Sequence, residues 1–584
     1  MLASFRRQSR EFGRHWRNYI ILFGTISLAV LLVIIPVFRA IATLLLKAWG
    51  VPFFSPQDIV TLCLQHPLVV LGLVLELFCL LAVTYFEFAV LLHGIATIRQ
   101  DRPAMGEVLR AAGRNLRRLR PSSLVFLAGY LILVVPFANL IFKTPLLSKV
   151  RIPTFVMDYL TRTPLVTALI SLAYVIVLVL GLRLIYTLPL MVFRNLTGRQ
   201  AARLSWQMTS RGGWWAFIKY LISYSLIIAA ITWICYGIFL LCQAGLDRLP
   251  GKIPLYSAVV SLSLIQIASE IFTVWLGVML LSLVTKPILN LGPSFSLDSS
   301  SKKISTLAGA IIVLLIAVAG VSNYFYLKQP LESRPVTVSH RGVDEKNGVQ
   351  NTIPALKATA KKHPDYVELD LRETRDHKFV VMHDPNLKNL AGVDKTPRDL
   401  TLKQLTRLTV HENGHRAHIA SFDAYLAAAE ACRQKLMIEI KSSRTDSPRM
   451  VQNFLKTYQR RILADHDIMH STNYDIVQTV RKDAPRIKIG YIQPYNLIYP
   501  QTDASFYSME YSTINADFIA ESHLRHQPIY AWTVNNSNAM KQMMMLGVHG
   551  IITDNLDELQ AEIRQFQYPS YAVRLLNYLT VISD

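Results

Sequence analysis

The strongest constraint on this chain is a series of apolar runs in its first 330 residues, at about 19–38, 67–92, 121–142, 165–193, 215–242, 256–284 and 304–326. A helix needs about 20 apolar residues to cross the hydrocarbon of a bilayer, and little other than a helix or a closed barrel satisfies its backbone there. A polytopic membrane domain of about seven transmembrane helices is therefore expected over residues 1–330. The mean hydropathy of +0.31 and the 52% of hydrophobic residues agree, since both exceed what a wholly soluble domain carries. Arg6, Arg7, Arg10, Arg14 and Arg17 precede the first run like the basic start of a signal peptide. No small-residue cleavage site follows, so an uncleaved first helix is expected.

The formal net charge of +22 does not mark a nucleic-acid binder, because the Lys and Arg residues lie largely in short segments between the apolar runs. There they set orientation, being retained on the cytoplasmic side during insertion. Arg99, Arg102, Arg110, Arg114, Arg117, Arg118 and Arg120 follow the second run, Arg194, Arg199, Arg203 and Arg211 the fourth, and Lys286, Lys302 and Lys303 the sixth. These alternate onto the side of the N-terminus, although Lys143, Lys149, Arg151 and Arg162 after the third run weaken the contrast. An odd number of spans then places everything after Leu327 outside the cell membrane; six or eight would invert this. Glu76, Glu87, Arg183 and Glu270 fall inside apolar runs, where a lone charge is costly; pairing with one another or an interfacial position is expected over a substrate cavity. Cys63, Cys79, Cys235 and Cys242 lie in or beside apolar runs and only Cys432 in the polar part, which argues against a disulfide framework and a Cys-rich zinc site.

From Val336 onward the pattern changes to short β-branched runs alternating with helical stretches, the rhythm of a (β/α) barrel. Candidate strands include Val336–Ser339, Tyr366–Leu371, Phe379–His383, Leu436–Ile440, Ile468–His470, Ile487–Ile492, Ile529–Val534 and Gly550–Thr553, with a helix over Ile353–Lys362. Thr374-Arg375-Asp376-His377 reads as a tight hairpin turn, so a distorted TIM-type barrel or one with an extra strand is expected over residues 331–570, followed by a tail at 571–584. Polar residues fall at strand ends, where such barrels collect their reactive groups: His340-Arg341, Glu368-Leu369-Asp370, His383-Asp384 and Glu439-Ile440-Lys441. The strand period of two puts Glu368 and Asp370 on one face, and Glu439 from another strand would complete an oxygen-rich site for one divalent cation, Ca²⁺ or Mg²⁺. Two histidines on flanking strand ends suit proton transfer across a phosphate.

The ordered set SHRG (339–342), QNT (350–352), YVELDLRETRD (366–376), FVVMHDPNL (379–387), MIEIK (437–441), AWTVN (531–535) and GVHGIITDN (547–555) resembles the glycerophosphodiester phosphodiesterase family across about 336–565. The apolar first half resembles, in architecture, the membrane domain that some bacterial members carry. Residue by residue, the resemblance implies a divalent cation held by Glu368, Asp370 and Glu439, His340 and His383 as the acid/base pair, and Arg341 on a phosphoryl oxygen. Lys441 is expected as a second phosphate contact, and Trp532 against the glycerol end or as barrel filling. The implied reaction releases glycerol 3-phosphate and an alcohol through a cyclic phosphate. Membrane tethering adds lipid headgroups and polyglycerol-phosphate polymers to the expected substrates, and membrane lipids to the partners. The alternatives are a non-catalytic phosphate-binding barrel and a membrane half acting as a transporter or flippase.

Three positions depart from the family pattern. Gln350 stands where the family usually has Glu, His377 where it has a turn glycine, and His549 where an aspartate is common. His411, His415 and His418 are expected in a solvated loop rather than a metal tract.

Overall fold

The computed structural model describes residues 2–50, 59–100, 105–141, 153–161, 163–210, 214–289, 316–328, 334–495, 499–566 and 569–582. Arg102, Lys143, Lys149, Arg151, Arg162, Arg211, Lys302, Lys303 and the first part of the seventh apolar run lie outside the described residues.

Among the described residues five helices are long and apolar enough to cross a membrane: Leu2–Ala48, Pro67–Arg99, Pro164–Arg194, Trp214–Leu246 and Ile253–Leu289. The third run forms the helix Pro121–Ile141, and residues 316–328 of the seventh are helical. Pro67 and Pro164 begin their helices at the first position, where the missing N–H has no partner to lose. Inside the first helix Pro36 does remove a donor, and the chain widens into a π turn at Val30–Ile34 just ahead of it. The arginine-rich segment expected as a flank is itself helical from Leu2.

Tyr19, Leu22, Phe88, Leu92, Ile95 and Leu190 form the buried centre of this half, while Leu165, Leu169, Leu172, Leu226, Ile234 and Leu241 face outward, uncovered by protein. Such a contiguous apolar exterior fits a lipid environment. Arg183 ends its helix and is partnered: its Nη1 donates 2.6 Å to Thr209 O and its guanidinium lies 5.4 Å and 5.3 Å from the rings of Trp206 and Trp214. Arg99 pairs with Glu11 at 2.7 Å, and Asn115 donates to Val192 O and Asn195. The arginine-rich ends of the helices thus gather at one pole.

The other pole meets the second half of the chain. Arg39 reaches Asp517 at 2.7 Å, Thr154 reaches Glu510, and Asp247 accepts from the backbone of Ala572. Residues 571–582, expected as a tail, are helical. Leu575 packs with Ala258, Leu262 and Leu327, and Gln266 and Asn323 exchange amide hydrogen bonds at 3.1 Å and 2.9 Å beside Tyr578.

Among the described residues eleven strands follow: β1 (Val336–Ser339), β2 (Tyr366–Glu373), β3 (Phe379–Val381), β4 (Thr409–Glu412), β5 (His415–His418), β6 (Leu436–Ile440), β7 (Ile468–Ser471), β8 (Ile489–Gln493), β9 (Phe506–Glu510), β10 (Ile529–Trp532) and β11 (Gly550–Thr553). Eight of them, β1, β2 and β6 to β11, form a parallel barrel closed by the β11–β1 and β1–β2 pairings. The expected extra strand is β3, antiparallel to β2 across the turn at Thr374–His377. β9 is absent from the segments that the pattern singled out. The histidine-rich stretch expected as a loop is instead the β4–β5 hairpin, with His411 opposite Arg416 and Glu412 opposite His415. Its Asn413-Gly414 turn, at φ 51° and 79°, is the geometry that joins two strands most tightly.

Period-two alternation sorts the barrel interior into layers. Val338, Met437, Ile468, Phe506, Tyr530 and Ile552 pack together as an apolar floor, with Gly490 and Gly550 leaving the space that the rings of Phe506 and Tyr530 occupy. Two residues further along each strand, on the same face, come His340, Glu439, His470, Ser508, Trp532 and Asp554. The intervening residues, among them Leu369, Ile438, Met469 and Ile551, face the surrounding helices.

Candidate active site

The layer above the apolar floor brings together the residues singled out in the sequence. In β2, β6 and β7 the register sets Asp370 beside Glu439 and Glu439 beside His470. His340, Arg341, Glu368, His383, Glu439, Lys441, His470 and Trp532 line one cavity of about 1220 Å³.

β1 ends in a tight turn with Arg341 at φ 54° and Gly342 at φ 69°. That left-handed conformation, uncommon for a residue other than glycine, turns the Arg341 N–H onto Glu368 Oε2 at 2.8 Å. A side chain at Gly342 would meet the Tyr425 hydroxyl, so both φ and space call for glycine there. The guanidinium of Arg341 donates 2.6 Å to Gln350 Oε1 and approaches Asp370 at 3.5 Å. Gln350 in turn donates from Nε2 and from its backbone to Glu412 on the hairpin, at 2.6 Å and 2.9 Å. The Gln350 amide therefore links Arg341 to a carboxylate supplied by β4.

Each histidine is oriented by an aspartate through Nδ1: His340 by Asp554 at 2.8 Å and His383 by Asp384 at 2.9 Å. Asp554 is held by Asn535 at 2.7 Å, and the backbone oxygen of His383 accepts two hydrogen bonds from Arg372 at 2.9 Å and 2.6 Å. Their surroundings drive the two rings apart. Burial works against the charged form of His340, but the Asp554 carboxylate outweighs it and the pKa rises. Burial dominates at His383 and, with Arg341 and Lys441 nearby, its pKa falls despite Asp370. Asp554 is half-exposed; its partial burial opposes its charge, yet the facing His340 lowers its pKa to about 2. The two rings thus sit in surroundings that favour opposite protonation states.

A direct consequence concerns pH. If turnover needs His340 protonated, Asp554→Asn removes the charge that raises its pKa, and the alkaline limb of the pH–rate profile is expected to move to lower pH. The acidic limb, set by His383, is expected to stay in place. A profile of kcat/KM across pH checks both.

Glu368, Glu439 and His470 offer ligand atoms that all lie within 4.8 Å of one another, and all three are buried. His470 Nδ1 bonds Ser508 at 3.0 Å, while its Nε2 has no hydrogen-bond partner among the described residues, lying 3.8 Å from Glu368. Two buried carboxylates and an imidazole nitrogen left without a partner fit a divalent cation. Asp370 stands beside this cluster with its oxygens engaged: Oδ1 with Lys441 at 3.1 Å, Oδ2 with Asn351 at 2.8 Å and with Arg341. Although burial opposes its charge, Lys441, His383 and Arg341 hold Asp370 well below the usual carboxylate range. Lys441, also 2.6 Å from Glu439, is kept charged in spite of its burial by the same two carboxylates.

The sequence reading did not single out His470, Asp554 or Glu412. It also missed Thr154, Phe155, Val156 and Leu160, which line the cavity from the membrane half.

Residues 5–321 match the family model described as the membrane domain of glycerophosphoryl diester phosphodiesterase. Residues 340–558 match that of the glycerophosphoryl diester phosphodiesterase family. A glycerophosphodiester phosphodiesterase of Caldanaerobacter subterraneus is 27% identical over 241 residues, covering 40% of this chain and 99% of that protein. The human lysophospholipase D GDPD1 is 27% identical over 208 residues, 31% of this chain and 62% of that protein. Among solved structures, a phosphodiesterase of Oleispira antarctica in complex with the product sn-glycerol-3-phosphate has 16% identity and a TM-score of 0.36, covering 39% of this chain and 97% of that one.

Proposed function

The chain belongs to the glycerophosphoryl diester phosphodiesterase family and carries that family's membrane domain ahead of its barrel; from this premise we propose that it hydrolyses glycerophosphodiesters to glycerol 3-phosphate and an alcohol, with metal assistance, at the outer face of the cell membrane. The observation that carries the reaction is the pair of aspartate-oriented histidines with opposite pKa shifts, His340 raised and His383 lowered, lining one cavity with Arg341 and Lys441.

In this reading Arg341 and Lys441 bind the non-bridging phosphoryl oxygens, the guanidinium through its planar fork and the ammonium as a point charge. Neutral His383 takes the proton of the glycerol hydroxyl that attacks phosphorus, and protonated His340 gives its proton to the departing alcohol. His340 then takes a proton from the water that opens the cyclic phosphate, and His383 returns its proton to the glycerol oxygen that leaves phosphorus, giving glycerol 3-phosphate. Glu368, Asp370 and Glu439 would hold one divalent cation, with His470 as an additional donor. The carboxylates suit Ca²⁺ or Mg²⁺, whereas the imidazole suits either ion less well. When bound, such a cation polarises the phosphoryl group and stabilises charge that develops on it. Trp532, whose indole N–H is buried without an acceptor, is available to an oxygen of the substrate.

Two observations support the outer face. The arginine-rich helix ends lie at one pole, the side that positive charge marks as cytoplasmic, and Arg39, Thr154 and Asp247 at the other pole meet the barrel or the C-terminal helix.

Purified full-length protein is expected to release glycerol 3-phosphate from a glycerophosphodiester, to stop when divalent cations are chelated, and to recover when Ca²⁺ or Mg²⁺ is returned; an unchanged rate in chelator would contradict the metal assignment. The side is read from Cys432, which is exposed on the barrel. With the other four cysteines replaced by serine, a membrane-impermeant maleimide is expected to label it in intact cells. Labelling only after permeabilisation would put the barrel inside.

A further inference from the structure

The cavity over the catalytic layer is not built by the barrel alone. Thr154, Phe155, Val156 and Leu160 form part of its wall, and they belong to the helix Thr154–Leu160 between the third and fourth apolar helices. Two contacts seat this helix on the barrel mouth. Thr154 Oγ1 donates 2.7 Å to Oε1 of Glu510, a fully buried carboxylate at the end of β9 whose other oxygen accepts from Ser512 at 2.6 Å. The ring of Phe155 lies 5.6 Å from the indole of Trp532.

The wall is apolar and partly uncovered. Phe155 and Leu160 remain 37% and 39% exposed although they line a cavity, and Val156, Pro494 and the buried Ile492 line the same cavity. The phosphate and glycerol of a small diester are served by Arg341, Lys441, the carboxylates and the histidines; none of those polar groups needs this wall. An apolar group on the substrate would cover it, removing apolar surface from water on both sides. The location matters too: Leu160 is only four residues before Pro164, where the next long apolar helix begins, so the wall stands where a bilayer surface would be.

We propose that the helix Thr154–Leu160 is a specificity wall supplied by the membrane half, selecting bilayer-resident glycerophosphodiesters that carry a hydrocarbon chain. This rests on the diesterase reading above and adds its substrate class. Phe155 is the specificity-determining residue, and Glu510 is a positioning residue that holds the helix through Thr154.

The test uses full-length protein in mixed micelles and two diesters with the same glycerol, phosphate and alcohol, one with an acyl chain on the glycerol and one without. Wild type is expected to favour the chain-bearing diester by roughly tenfold or more in kcat/KM, the scale on which apolar pockets discriminate. Phe155→Ser is expected to erase that ratio, mainly through KM for the chain-bearing diester, whereas Phe155→Leu, which keeps an apolar surface, retains most of it. In proteoliposomes the serine variant is expected to slow hydrolysis of a chain-bearing diester in its own bilayer by a similar factor. An equal ratio in wild type and the serine variant would overturn the wall, as would wild-type hydrolysis of the chainless diester alone, with the diesterase reading intact. Hydrolysis of neither diester would remove both.

Discussion

Replacing His340 with alanine is expected to lower kcat for a glycerophosphodiester of an ordinary alcohol by about 10²–10⁴-fold, the range that a positioned acid or base supplies. The same replacement is expected to slow the first-turnover release of a nitrophenolate far less, because that leaving group departs without a proton. The assignment follows from the surroundings of the ring: Asp554 at 2.8 Å raises the pKa of His340 against the effect of its burial. His383→Ala is expected to depress both substrates alike, since the neutral base acts on the attacking hydroxyl whatever leaves. Equal losses on both substrates for His340→Ala, with the contrast appearing instead at His383, would exchange the two roles. Single-turnover kinetics with the two leaving groups make the distinction.

Glu439→Gln is expected to weaken divalent-cation binding by more than about 100-fold, since even partners one shell out from a metal are worth about 10–100-fold. Turnover at modest metal concentration is expected to fall with it and to recover partly as the cation is raised. Glu439 is central because it touches both functions, lying in the cluster with Glu368 and His470 and 2.6 Å from Lys441. Arg341→Lys, by contrast, loses the planar contact to phosphate and is expected not to recover with added metal. Calorimetric titration of the cation alongside activity separates the two cases.

Much of the catalytic layer is legible in the chain because its residues lie within short strands or at their ends. Glu368 and Asp370 are two apart, Glu439 and Lys441 are two apart, and His340 immediately follows a β-branched run; period-two alternation alone places such pairs on one face. His470 is not legible in the same way. It is a lone histidine in Ile468–Ser471, and its place beside Glu439 arises from a pairing between strands about thirty residues apart. Asp554 likewise meets His340 only because the last strand closes the barrel on the first. Glu412 was hidden inside a stretch read as a solvated loop, although its Asn-Gly pair is a hairpin signal. Phe155 carries no periodic signal at all, and its meeting with Trp532 depends on how two separately patterned halves of the chain dock. In the membrane half, apolar length marked the helices well. It could not show that the arginine-rich start is helical or that residues 571–582 return to pack on Ala258 and Leu262.

The central claim is that one metal-assisted site containing His340 and His383 cleaves a glycerophosphodiester. It is tested most directly by quantifying glycerol 3-phosphate and the free alcohol released by full-length wild type and by a folded His340→Ala/His383→Ala double variant, prepared and loaded with cation in parallel. Equal amounts of the two products from wild type, and a rate lowered by at least about 10³-fold in the variant, are expected. Ordinary turnover by the double variant would contradict the account.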